Sequence, residues 1–357
     1  MKAVAALLVV ALIASCGSPP PPAYTLEKER AAQAQRRGEP LLAARYYEQA
    51  AREAREPRDA DEARYLAADS YARAGNADRA RALFEELARK PGERQERAAF
   101  ALPELHLRAG DEERGQAELA AAIRQHPSSG VARTALVKHL AYLRQRGGSS
   151  AVLGYLQEQR RALGASELAE TLDYTWAREL DDSGQTARAR DAYLACAARF
   201  PYPAGAYWDD ALYRAAQKEL ELDSPQAALA HLTRLLAEQE NAAINGSYQR
   251  SRYAEGQLLV AEIYRDRLRD PLRARRELRR LWERHPTSRF VDDALFQEAL
   301  LARDAKDATG TCEPLRILSS RLPDSRYAPC AHLLCESLPA MAGKNCHDYL
   351  KRAAGLP

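Results

Sequence analysis

Glycines 38, 75, 110, 147 and 184 recur in steps of 37, 35, 37 and 37 residues. A chain that repeats at this interval folds as a linear array of like units, because so short a segment cannot bury its own apolar face and must stack on a neighbour. The unit around Gly75 is the clearest. Ala68 and Tyr71 fall on one face of a first helix, Gly75 closes it, and Ala80 and Phe84 fall on one face of a second helix that runs through Leu87 to Pro91. The small residue lets the two helices approach, and the aromatic ring fills the groove between them. The spacing recurs with Gly38, Ala43, Tyr47 and Ala50, and again with Gly110, Gly115, Leu119, Ala122 and Pro127. It returns with Trp176, Ala177, Leu180, Gly184, Ala189, Tyr193, Cys196 and Pro201, and more loosely around Gly147, Val152 and Leu156.

After Pro201 the units change dialect. Trp208-Asp209-Asp210-Ala211-Leu212-Tyr213 is followed by Ala228, Leu232 and Leu235, and Val291-Asp292-Asp293-Ala294-Leu295-Phe296 by Leu315, Leu318 and Pro323. Between them stands a unit with Tyr264, Ala274, Leu278, Leu281 and Pro286. The phrases His285-Pro286-Thr287-Ser288-Arg289-Phe290 and Leu322-Pro323-Asp324-Ser325-Arg326-Tyr327 share one grammar: proline, a small polar residue, an aromatic, a new helix. About eight helix pairs over residues 26–326 are predicted, with a C-terminal cap over 327–357.

The small, aromatic, turn and stop positions of the second unit resemble those of the tetratricopeptide repeat. That resemblance implies an all-α fold: a right-handed superhelical solenoid of antiparallel helix pairs whose first helices line a concave face. The later dialect is similar to the repeats of Gram-negative envelope lipoproteins and periplasmic proteins, among them the BamD-like lipoproteins of outer-membrane assembly and the coordinators associated with Tol-Pal. BamD-like chains are shorter and lack the cysteine-rich cap. Pilotins, lipoproteins that escort secretin subunits, use such repeats too and stand as the alternative.

The amino terminus says where such an array is expected to work. Lys2 precedes an apolar run from Ala3 to Ala14, the charge and length of a signal peptide and too short for the about 20 residues of a membrane span. Ile13-Ala14-Ser15-Cys16 resembles a lipobox, with Ile13 where Leu is preferred. The resemblance implies cleavage after residue 15 and lipidation of Cys16; the competing reading is an ordinary secretory signal with an incidental cysteine. Gly17, not Asp, after the cysteine points to the outer membrane under the sorting rule of some bacteria. Ser18 and Pro19 to Pro22 read as an extended tether within 16–25.

Composition agrees with a helical array. Ala, Leu, Arg and Glu dominate, and 53 basic against 50 acidic side chains leave no nucleic-acid footprint in the total. No nucleophile elbow, phosphate loop or zinc-protease motif occurs. No cofactor, metal or catalytic residue is expected. With only about thirty residues after Tyr327, an enzymatic domain like that fused to lytic transglycosylase arrays has no room.

Individual residues then divide between structural and functional readings. Asp209-Asp210 and Asp292-Asp293 belong to first helical turns, where carboxylates complement the macrodipole. Cys196 occupies a small core position. Cys312, Cys330, Cys335 and Cys346 form an even cluster that reads as two disulfides with three possible connectivities, of which Cys330 to Cys335, five apart on one predicted helix, is disfavoured. The nearby His332 and His347 raise a metal site, but the spacing fits no common zinc module. From Arg265 to Arg284 many arginines face only Asp266, Asp270, Glu277 and Glu283. They form a solvated helix face, or a docking surface for an acidic partner or anionic head groups, with Arg275 and Arg279 as candidates. Tyr71, His106, His139 and Tyr264 are the candidates for lining the concave face. The functional expectation is a non-catalytic scaffold that binds envelope proteins or peptide segments at the periplasmic side of the outer membrane.

Overall fold

The computed structural model describes residues 19–238 and 252–355; residues 1–15, expected to be a signal peptide, and Cys16 lie outside them. Among the described residues there are seventeen helices and no strand. They fall into two compact units divided after Ala169. In the first unit α1 (Pro22–Arg36) pairs with α2 (Pro40–Glu53), α3 (Pro57–Arg73) with α4 (Ala77–Arg89), and α5 (Gln95–Arg108) with α6 (Glu112–Gln125). A fourth pair is made by α7 (Ala132–Ala162), which breaks at Gly147 and Gly148. The second unit comprises α8 (Ala169–Asp182) with α9 (Thr186–Arg199), α10 (Trp208–Glu221) with α11 (Pro225–Ala237), α12 (Arg252–Glu262) with α13 (Pro271–Arg284), and α14 (Val291–Asp304) with α15 (Ala308–Arg321). Short α16 (Ala331–Leu334) and α17 (Asp348–Ala353) close the chain.

One backbone device turns the first helix into the second in seven of the eight pairs. Gly38, Gly75, Gly110, Gly148, Gly184, Asp223, Arg269 and Lys306 all hold positive φ, between 55° and 83°. The amide after this residue then donates to the carbonyl five back: Asn76 to Tyr71, Asp111 to His106 and Asp307 to Ala302, at 2.9, 3.0 and 2.9 Å. This satisfies carbonyls left open at the helix end. At Arg269 the bond runs six back, from Asp270 to Tyr264 at 2.8 Å, because α12 ends in a wider π turn over Ile263–Arg267. The residue after the turn opens the second helix. Asn76, Asp111, Asp270 and Asp307 accept there from the amide three residues on. In the fourth pair the positive φ falls on Gly148, with an extended ψ of −161°, and not on Gly147, whose φ is −143°.

Alanines make close pairing possible. In the first unit Ala43, Ala44, Ala67, Ala68 and Ala80 are fully buried, with Tyr47, Tyr71 and Phe84 filling the space between helices. Proline opens α1, α2, α3, α11 and α13, positions where no amide partner is needed. For that reason Pro22 starts α1, and residues 22–25, expected in the tether, are helical.

Successive pairs of the second unit are also joined at the start of their first helices. The Tyr207 amide donates to Glu170 at 2.8 Å, Arg252 to Asp210 at 2.5 Å, Arg289 to Glu255 at 3.0 Å and Arg326 to Asp293 at 2.9 Å. The carboxylates in the first turns thus serve the helix end and also bind the incoming chain of the next pair. The cap is held by Cys312–Cys335 and Cys330–Cys346, and its cysteines join the same core as Leu281, Leu295 and Leu318. The disfavoured pairing of Cys330 with Cys335 is absent, and the two do not share one helix as expected: Cys330 ends a short 3₁₀ turn and Cys335 follows α16. Cys196 is buried in α9.

Candidate protein-binding grooves

The first helices of each unit present one side to their own second helix and another to solvent, and side chains spaced three and four apart decide what the open side offers. In the first unit that side is a groove of about 290 Å³ across α3, α5 and α7. Tyr65, Asp69 and Ala72 line it from α3; Arg97, Phe100, Ala101, Glu104, Leu105 and Arg108 from α5; Thr134, Ala135 and Lys138 from α7, with Val131 just before it. Phe84 and Leu119, from the second helices, complete an apolar floor. Tyr65 meets Phe84 edge to face, with ring centroids 5.5 Å apart. The rim is charged: Lys138 donates to Glu104 and Arg108 lies 4.0 Å from Asp69. Arg97 is exposed on the same rim and makes no ion pair among the described residues. Burial, then the Asp69 charge, raises the Tyr65 phenol above its ordinary pKa, so it stays a neutral donor.

The corresponding groove of the second unit, about 410 Å³, is built differently. Tyr213, Arg214 and Gln217 from α10 face Arg252, Glu255 and Glu262 from α12. Its charges are largely spent internally. Asp210 accepts from Tyr174 and, at 2.7 and 2.5 Å, from Arg214 and Arg252; against its burial, the Tyr174 hydrogen bond and then the two guanidinium groups hold its carboxyl below the usual range. Glu262, by contrast, is raised by burial. A polar, self-paired wall offers an incoming apolar side chain little to bury against.

The expected inner-face residues lie elsewhere. Tyr71 is buried, its hydroxyl donating to Glu48 at 3.0 Å. His106 is buried 3.5 Å from Glu118. His139 is buried with Nδ1 2.9 Å from the Gln116 amide oxygen and its ring edge-on to Tyr155; burial, reinforced by Arg124, pushes its pKa down to about 4. Tyr71 and His106 share one register, 35 residues apart, and it points at the second helices. The open register lies about 200° away, two residues earlier, where Asp69 and Glu104 stand. The repeat-wise recurrence of Tyr65 and Phe100, and of Asp69, Glu104 and Lys138, was the readable signal for the groove.

Tyr264 is half-buried in the π turn, under the Arg273 guanidinium. Arg275 and Arg279 border a groove of about 690 Å³ between the second helices α13 and α15, but neither is free. Arg275 binds Asp307 at 2.9 Å, and Arg279 binds the buried Glu298 at 2.8 Å and the half-buried Glu313 at 2.7 Å. Among the described residues no cluster of three His, Cys, Asp or Glu side chains could hold a metal ion, and no helix is long and apolar enough to cross a membrane.

The tetratricopeptide repeat family matches residues 62–92, which span most of α3 and all of α4. No curated protein sequence matches the chain. Among solved structures, one from the functional characterization of Pseudomonas aeruginosa pilF is 16% identical and covers 69% of this chain and 96% of its own, with a TM-score of 0.38. PilW, described as a widely conserved type IV pilus biogenesis factor, is 15% identical over 66% of this chain and 98% of its own, at 0.39. The apo form of RapI is 11% identical over 88% and 94%, at 0.45. These likenesses are too distant to transfer a function.

Proposed function

We propose that the chain is a non-catalytic scaffold that binds segments of envelope proteins, held at the periplasmic face of the outer membrane by lipid on Cys16. The observation that carries this reading is the groove across α3, α5 and α7, with aromatic and aliphatic side chains on its floor and opposed charges on its rim. An extended or helical segment that buries one large apolar side chain there gains about 1.5–3 kcal/mol from that side chain, and rim charges set which flanking residues are admitted. From Cys16 to Pro22 the chain spans at most about 20 Å fully extended. An anchored array would therefore hold its first helix pair close to the bilayer.

A photoreactive amino acid at Thr134, in the groove, or at Glu85, exposed on α4, tests this in intact envelopes. Discrete adducts are expected from Thr134 alone, and they should disappear in a Cys16→Ala background. Equal labelling from both positions, or none from Thr134, would overturn the assignment.

A further inference from the structure

In a chain whose charges nearly cancel, α13 and the turn before it carry an exposed arginine stripe. Arg273, Arg276, Arg280 and Arg284 follow one another at spacings of three, four and four, which keeps these four on one helix face, and Arg269 stands in the turn just before it. All are exposed. Arg273 pairs with Asp270 and Arg280 with Glu277, while Arg269, Arg276 and Arg284 have no ion-pair partner among the described residues.

The stripe stands on a braced support. Ala274, Leu278 and Leu281 bury the opposite side of α13, and Arg275 and Arg279 tie its flank to Asp307, Glu298 and Glu313. Gly310 permits that tie, since a Cβ there would stand 2.3 Å from the Arg275 guanidinium. Arginines presented from a fixed helix lose less freedom on binding than arginines on a loop. Beside the stripe runs the groove of about 690 Å³ between α13 and α15, with Leu272 on its border at 66% exposure.

We propose that this outer face of α13 docks an acidic amphipathic helix of a partner protein. Carboxylates three and four residues apart on such a helix match the arginine spacing, and an apolar side chain on its flank covers Leu272. A uniformly anionic lipid surface fits less well. Exposed Glu283 and half-buried Glu313 stand beside the arginines and would be repelled by it, and a flat bilayer fills no groove. The face is made by second helices and is separate from the groove across α3, α5 and α7.

The test is titration of the full chain with a synthetic helical peptide carrying glutamates at alternating three- and four-residue spacing and leucines on one flank. Fluorescence anisotropy reads the affinity. A peptide of the same composition with its glutamates bunched, and vesicles of phosphatidylglycerol, serve as the competing ligands. Binding of the ordered peptide should be about tenfold tighter than of the bunched one, and Arg276→Glu with Arg284→Glu should weaken it by about tenfold or more. Arg276→Gln with Arg284→Gln should weaken it less, with an unchanged melting profile, and Arg89→Ala, at an exposed position of α4, should leave it unaltered. Equal affinity for both peptides, no effect of the double charge reversal, or binding to vesicles without binding to the peptide would overturn the proposal.

Discussion

Asp223, Arg269 and Lys306 hold the left-handed backbone that glycine holds at four of the other five turns. For a residue with a Cβ this conformation costs roughly 1–2 kcal/mol, less for Asp, offset in part by the greater freedom that glycine loses on folding. Arg269→Gly and Lys306→Gly should therefore each stabilise the fold by up to about 1 kcal/mol in urea denaturation, with Asp223→Gly giving less. A loss of stability in all three would show that the side chains do more than tolerate the turn. His139 makes a second residue-level prediction. Its folded pKa of about 4 lies below the ordinary 6.5, so between those values the unfolded chain binds the proton and the folded chain does not. Stability is complete above pH 6.5 and falls as the pH drops toward 4. His285, lowered by burial and by Arg284, adds to the same slope. The urea midpoint should fall from pH 7 to pH 5, where most carboxylates are still ionised, and His139→Gln should flatten that fall; a native midpoint that does not move would contradict the burial argument.

At the scale of the element, the helix pairs depend on where side chains are missing. Glycine inside a helix is ordinarily destabilising relative to alanine by about 0.5–1 kcal/mol. Gly154 in α7 has open space around it, so Gly154→Ala should stabilise by about that amount. Gly115 in α6 is the opposite case, because a Cβ there would lie 2.6 Å from the Leu107 side chain. Gly115→Ala should cost about 1–3 kcal/mol, and two melts of like sign would refute the close-approach account. These elements were also where the sequence spoke most clearly. Alanine, aromatic and glycine spacing marked the early pairs. The later turns were hidden because Asp223, Arg269 and Lys306 replace the glycine that signals them, and Gly147 drew attention from Gly148 because both are glycine and only φ separates them. The first-turn carboxylates were recognised as helix-end residues. Their second role, gripping the next pair through Arg252, Arg289 and Arg326, depends on contacts more than thirty residues apart.

For the whole molecule, the candidate site was less legible than the fold. Helical registers were read correctly as registers but assigned to the wrong side, since Tyr71 and His106 look like exposed binding residues until Glu48, Asp111 and Glu118 are seen packed against them. Arg275 and Arg279 likewise look free until Asp307, Glu298 and Glu313 approach from other helices. On the side of the first helices, what remains open to a partner is the apolar-floored groove of the first unit, while the matching surface of the second unit is closed by its own ion pairs. That contrast leads to the most direct test. Ala101 sits in the groove floor, half-exposed, and Ala101→Trp fills the space without touching the pairing of α5 with α6. Purification of the native chain and of this variant from crosslinked envelopes, with partners identified by mass spectrometry, should give a defined set of envelope proteins with the native chain and lose it with Ala101→Trp at unchanged thermal stability. The same partners recovered in equal amount with both chains would contradict the claim that this groove is the binding site.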